Sequence, residues 1–321
     1  MYYILITIIL LIGLFIYFRI AEKYKIIDCP NERSSHKVTT IRGGGIIYPL
    51  SYIIFLITLI LHKEIEITYF IIGLGLLIIS TVSFIDDIVK LSPGIRLVFH
   101  FISVSILLYS IGGFSLSIWL IPIYYIFIIG ILNSYNFMDG INGMTGLYSL
   151  VTLSSLYFVN ENYHIFSVDF ILFPIIASMV FLFFNFRKKA KCFAGDVGSF
   201  SIAFWILVII GSIIVYTDDY KYLLLLTVYG IDSIFTIVER LLVKENILEA
   251  HRRHLYQLFV NEKQISHLVV SFSYAAIQLV INFLLIYFDL SLTYSLLLIV
   301  LPTALIYLII KYTVKKSLHI S

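Results

Sequence analysis

Charge is what this 321-residue chain has least of. Asp, Glu, Lys and Arg make up 13% of it, against about 25% in an average soluble domain. So little charge cannot cover a water-facing surface, and with 60% hydrophobic residues the composition is that of a polytopic membrane protein. No long polar stretch interrupts the apolar runs, which argues against a soluble appendage, and one membrane-embedded domain, 1–321, is expected. Cysteine is scarce too: Cys29 and Cys192 are the only two, neither has a partner at metal-ligand spacing, and no structural disulfide is expected. The net charge of +3 is spread over a few loops, which argues against a nucleic-acid partner. Also missing are internal repeats and an inverted pair of Gly/Pro-broken helices, the trace that many secondary transporters leave.

What is present is a succession of apolar runs, each long enough to span a bilayer as a helix. Eleven can be marked, at about 2–18, 46–61, 69–85, 97–112, 117–135, 146–159, 170–186, 199–216, 222–243, 267–288 and 292–310. The fold class is therefore all-α. The first run has no basic residue before it and no small-x-small pattern after it, so it reads as a retained helix rather than a signal peptide. Placing the N-terminus outside puts 20 of the 22 Lys/Arg residues in 19–45, 86–96, 187–197, 239–266 and 311–321, leaving Lys63 and Lys221 on the other side. By the positive-inside rule the C-terminus and these segments are cytoplasmic.

Chemistry-bearing residues concentrate in the same cytoplasmic loops, 19–45, 86–96, 136–145, 187–198 and 244–266. Asp86 and Asp87 lie at the end of a hydrophobic run, where a charge in hydrocarbon costs on the order of 3 kcal/mol. If the helix continues, Lys90 is the i,i+4 partner of Asp86 and the i,i+3 partner of Asp87. Carboxylates at a membrane surface beside a cation can hold a divalent metal and a phosphate; the plainer alternative is a pair of juxtamembrane anchors. Asn136 and Asp139 are also i,i+3, followed by turn signals at Asp139-Gly140 and Asn142-Gly143. Gly195-Asp196 precedes a helix, which suits a metal ligand or, more commonly, an N-cap. Gly43-Gly44-Gly45 either brings backbone N–H groups to a ligand or makes a tight turn. His251-Arg252-Arg253-His254 offers cationic donors for phosphate, or alone a lipid-headgroup patch.

Phe84-Ile85-Asp86-Asp87, Asn136-Phe137-Met138-Asp139-Gly140 and Phe193-Ala194-Gly195-Asp196-Val197-Gly198-Ser199, in this order, resemble the polyprenyl-phosphate N-acetylhexosamine-1-phosphate transferases over essentially the whole chain. The resemblance implies transfer of a sugar 1-phosphate from a UDP-N-acetylhexosamine to undecaprenyl phosphate, with release of UMP. It implies the plasma membrane of a bacterium as the location, and Mg²⁺, or Mn²⁺ in its place, with Asp196 as leading metal ligand and Asp86 and Asp87 serving the metal and the lipid phosphate. Asn136 and Asp139 would line the same pocket, with Lys37, Asn142, His251, Arg252, Arg253 and His254 toward the nucleotide sugar. The chain departs from the family at Asn142, where Asp is usual, and at Thr39 and Ile41, where prolines are common. The ending His254-Leu255-Tyr256-Gln257 is closer to the branch that primes O-antigen, capsule or related surface glycans. Membrane lipids surround such a protein, and a homodimer is compatible with it. Two other classes compete with this one. An intramembrane prenyltransferase needs spaced Asp-x-x-x-Asp pairs, absent here. A lipid or nucleotide-sugar carrier needs acids at mid-membrane depth, approached only by Asp232.

Overall fold

In hydrocarbon an unbroken apolar run can satisfy its backbone N–H and C=O groups only within a helix or a closed barrel, and here the runs are helices. The computed structural model describes residues 2–30, 35, 38–115, 118–246 and 252–318. Its long helices are α1 (Tyr2–Tyr24), α2 (Ile47–His62), α3 (Ile67–Ile88), α4 (Pro93–Ser110), α5 (Ile121–Met138), α6 (Met144–Tyr163), α7 (Val168–Asn185), α8 (Gly195–Thr217), α9 (Thr227–Leu242), α10 (His267–Tyr287) and α11 (Leu292–Ser317). Among the described residues, ten of these are long and apolar enough to cross a membrane. The protein is an all-α, multi-pass membrane protein. The exception is α6, the expected run at 146–159. It is a helix of spanning length, but it carries buried Ser149, Thr152, Ser155 and Asn160, and packs against α7, α8 and α10. Neighbouring helices, rather than lipid, receive it.

The core is centred on α8, whose most apolar window is 89% buried, with α3 and α5 packed along it. Its first turn meets the entry to α2 backbone to backbone: a Cβ added to Gly45 would lie 2.1 Å from the Cα of Gly198. The glycine run at 43–45 is thus the tight turn of the two alternatives. Gly44 N–H donates to Phe193 O at 2.8 Å and Gly45 N–H to Ala194 O at 3.0 Å. A short antiparallel ribbon, β1 (Ile27–Asp28) with β2 (Thr40–Ile41), runs beside it, pairing Ile27 with Ile41. Phe193 N–H extends this by donating to Ile41 O at 2.8 Å.

Two helix ends bear on the expected site. α3 continues to Ile88, so Asp86 and Asp87 occupy its last turn, but Val89 is extended at φ −130° and ψ 110°. The helix therefore ends before Lys90, and the i,i+4 pairing with Asp86 does not form: Lys90 is exposed and has no ion pair among the described residues. The turn that follows is closed by Ser92, whose Oγ accepts from Ile95 N–H at 3.4 Å with Pro93 as the first helical residue, the arrangement that starts helices well.

Candidate active site

Asp87 is the pivot. Ala194, at the start of α8, has no side chain to cap the helix, and its first N–H groups would be orphaned. Asp87 reaches over from α3 instead: Asp196 N–H donates to its Oδ1 at 2.9 Å and Val197 N–H to its Oδ2 at 3.1 Å. A carboxylate at a helix N-terminus is favoured by both the free donors and the helix dipole. The approach is possible because Gly195 has φ +70° and no side chain; a Cβ there would fall 2.5 Å from Asp87 Oδ2. Asp196 is thus not the N-cap of its helix but the residue the cap presents.

Arg42 clamps the two acids. Its Nε donates to Asp87 Oδ1 at 2.6 Å and an Nη to Asp196 Oδ1 at 3.2 Å, while its own carbonyl accepts from Tyr17 OH. Burial works against the Arg42 charge, but Asp87 and Asp196 outweigh it and raise its pKa. Asp86 is held separately: Leu91 N–H donates to Oδ1 at 2.7 Å and Arg96 to Oδ2 at 2.8 Å, with Arg96 also 3.8 Å from Asp196 Oδ2. The partners of the acids are therefore Arg42 and Arg96, neither of which the helical-spacing argument selected.

At the end of α5, Asn136 donates to Ser199 Oγ at 3.2 Å, one turn along α8 from Asp196. Asp139, just past the helix, accepts from Thr145 Oγ1 at 2.5 Å. Burial pushes the Asp139 carboxyl up to about 8, with Asp196 and Asp87 adding to the rise and Thr145 and Arg42 opposing it. Asn142 is 5% exposed and braces the surrounding loops. Its side-chain N–H donates to Arg187 O at 2.7 Å, and its backbone N–H to His267 Nδ1 at 3.4 Å. His267 Nε2 donates in turn to Ser35 O at 3.0 Å. Asn185 completes the frame, accepting from Gly143 N–H at 2.6 Å and donating to Cys192 O at 2.8 Å. Asn185 and His267 were not singled out in the sequence; a buried amide near a helix end, and a histidine opening one, are the only traces they leave there.

Beside this frame opens a polar cleft of about 510 Å³, lined among others by Asn142, Lys188, Lys189, Arg252, Gln264 and His267. Of the described residues in the basic stretch, Arg252 alone lines it. Arg253 pairs with Glu239 at 2.9 Å and Glu245 at 2.5 Å, and His254 is buried against Asp232 at 3.1 Å. Lys37 and His251 lie outside the described residues.

The donor chemistry suits a hard cation: carboxyl groups of Asp86, Asp87 and Asp196 outnumber the guanidinium groups of Arg42 and Arg96 that offset them, and oxygen ligands are what Mg²⁺ takes. Asp196 Oδ2, with Arg96 no nearer than 3.8 Å, and the adjoining Asp86 are the groups that would hold it. Among the described residues, however, no three His, Cys, Asp or Glu side chains converge closely enough to enclose an ion, and both Asp87 oxygens are already bonded.

Residues 69–215, which contain Asp86, Asp87, Asn136, Asp139, Asn142 and Asp196, match the model of glycosyl transferase family 4. The chain is 26% identical over 261 residues to a probable undecaprenyl-phosphate N-acetylglucosaminyl 1-phosphate transferase of Bacillus subtilis, covering 74% of this chain and 70% of the relative. It is 27% identical to the undecaprenyl-phosphate alpha-N-acetylglucosaminyl 1-phosphate transferase of Thermotoga maritima, covering 79% and 80%.

Proposed function

We propose that the protein transfers a HexNAc 1-phosphate from a UDP-sugar to undecaprenyl phosphate, releasing UMP, on the cytoplasmic side of the plasma membrane, as a first membrane step toward a surface glycan. The observation that carries this reading is the Asp86–Asp87–Asp196 cluster held by Arg42 and Arg96, with Phe193, three residues before Asp196, on the wall of a cleft that Lys188, Lys189 and Arg252 also line: acids for a metal and cations for a diphosphate. The two relatives' substrates and the loop charge distribution support it.

In this scheme a lipid phosphate oxygen attacks the β-phosphorus of the UDP-sugar as the bond from that phosphorus to the UMP oxygen breaks. A phosphate monoester has a second pKa of about 6, so the attacking group needs no strong base. Bound Mg²⁺ would supply neutralisation of the phosphoryl charge. Arg42 keeps Asp87 and Asp196 in fixed relation, Arg96 does the same for Asp86, and the cleft cations orient the diphosphate and offset charge growing on UMP. Asp87, fully engaged by Arg42 and α8, acts by positioning Asp196.

The test is UMP release by purified protein with undecaprenyl phosphate, Mg²⁺ and a panel of UDP-N-acetylhexosamines, with Asp196→Asn alongside. Lipid- and Mg²⁺-dependent UMP release that disappears in the variant supports the reading, and the best donor names the sugar. Folded wild type that releases no UMP and is not thermally stabilised by UDP would overturn it in favour of a carrier.

A further inference from the structure

Away from the aspartate cluster, the bundle buries a second carboxylate that no step above uses. Asp232 of α9 is 0% exposed and collects donors from four parts of the chain. Tyr274 OH of α10 lies at 2.7 Å, Tyr307 OH of α11 at 3.0 Å, His254 Nδ1 at 3.1 Å, Leu255 N–H at 3.2 Å and Thr236 Oγ1, from its own helix, at 3.2 Å. A carboxylate withdrawn from water this far is tolerated only with its lone pairs satisfied. Being acceptor-only, it requires the proton of His254 to sit on Nδ1.

The chain of contacts continues toward the site. The His254 ring lies against Tyr256, centroids 5.7 Å apart and planes 22° from parallel. Tyr256 OH donates to Phe137 O at 2.8 Å and packs so tightly on Gly140 that a Cβ there would meet it at 2.2 Å. Phe137 and Gly140 bracket Asp139. On the other side, α11 is mostly membrane-exposed, with 17% of its apolar window buried, yet it sends Tyr307 to Asp232, Lys311 to Thr236 at 2.9 Å and Glu239 at 2.9 Å, and Lys315 to Glu239 at 3.0 Å. Glu239 also holds Arg253, next to His254.

We propose that Asp232 is a positioning residue of the transferase: it sets the orientation and tautomer of His254, and through His254 and Tyr256 presses the turn carrying Asp139 into place, with Tyr307 making the last helix part of the active-site frame. The proposal rests on the transfer reading for its kinetic consequence, but not for its spectroscopic one. A carboxylate present only to stabilise the bundle would have no reason to act through His254.

The experiment combines imidazole ¹⁵N NMR with a double-mutant cycle on Asp232→Asn and His254→Gln, the latter also assigning the signal. In wild type the His254 ring is expected as the Nδ1–H tautomer, and Asp232→Asn shifts it toward Nε2–H. Since a hydrogen bond to a charged group is worth about 1.5–3 kcal/mol, kcat in Asp232→Asn falls about 10- to 100-fold, with KM for the UDP-sugar changed far less, and the double variant is no slower than the worse single one. An unchanged tautomer, or single effects that multiply in the double variant, overturns the proposal. Should Asp232→Asn not fold, Tyr307→Phe removes one donor and keeps the ring; a several-fold loss of kcat at unchanged KM supports the proposal and full activity refutes it. If wild type releases no UMP, the transfer reading fails while the tautomer measurement still decides this one.

Discussion

Asn142→Asp tests the frame of the cleft most sharply, because the family that the chain resembles usually places an aspartate there and this structure gives a reason against one. The Asn142 side-chain N–H donates to Arg187 O at 2.7 Å in a site 5% exposed. An ionised carboxyl cannot donate, and it would set an oxygen against that carbonyl; leaving a buried acceptor unsatisfied costs about 1–3 kcal/mol. The carboxyl can escape by binding a proton, which restores a donor. The cost of doing so at pH 7, from a reference value of about 3.9, is about 4 kcal/mol and caps the penalty. The substituted carboxyl therefore has a folded-state pKa raised above its unfolded value, and the native state holds more protons in that interval. Relative to wild type, the variant should be near-native in stability at about pH 4, lose stability as pH rises, and level off above the raised pKa. Because Asn142 does not titrate, the pH dependence of the difference belongs to the new group. Paired thermal melts in detergent from pH 4 to 8 read it directly. A variant as stable as wild type throughout, or one destabilised equally at every pH, would refute the assignment of Asn142 as a donor to Arg187.

Other outcomes follow from the same geometry. Gly195→Ala places a methyl 2.5 Å from Asp87 Oδ2 at φ +70°, where an L side chain alone costs about 1 kcal/mol; UMP release should vanish and the melting temperature drop, and an active, stable variant would contradict the cap described for α8. Arg42→Lys keeps the charge but cannot bridge Asp87 and Asp196 in the fork now seen; the loss of a charge-assisted bond of about 1.5–3 kcal/mol should slow UMP release about 10- to 100-fold. Lys90→Ala removes an exposed cation with no ion pair among the described residues and should change stability by less than about 0.5 kcal/mol, with turnover near wild type; a large loss of turnover would restore Lys90 to the site.

Much of the architecture was legible in the sequence because in a bilayer hydropathy and helix length are tightly bound. The apolar runs mark α1 to α11, and three short motifs mark the ends that meet. Polar packing is what the hydropathy reading missed: α6 carries serines, threonines and an asparagine that only its neighbours can satisfy. At the site, the acids were visible as costly residues, but their partners were not. Lys90 was favoured by helical spacing, and one extended residue, Val89, removed it from the helix; Arg96 came from beyond the next turn. Arg42 and Asp87 are 45 positions apart, and nothing in either loop announces the other. The cap on α8 is equally non-local, since its acceptor comes from α3 while Ala194 occupies the usual place. The basic stretch was misleading in the opposite sense: its described residues, adjacent in sequence, divide between the cleft, two glutamates and a buried aspartate.

Gly45 and Gly198 touch at their backbones, and this makes one corner of the site a one-way street for mutation. Every replacement there adds atoms and none subtracts them, so the spacing between the first turn of α8 and the start of α2 can be widened by substitution but not tightened. A protein engineer seeking a different sugar donor would therefore leave the glycine corner as the fixed datum and draw diversity from the exposed cleft-wall residues Lys188, Lys189 and Gln264.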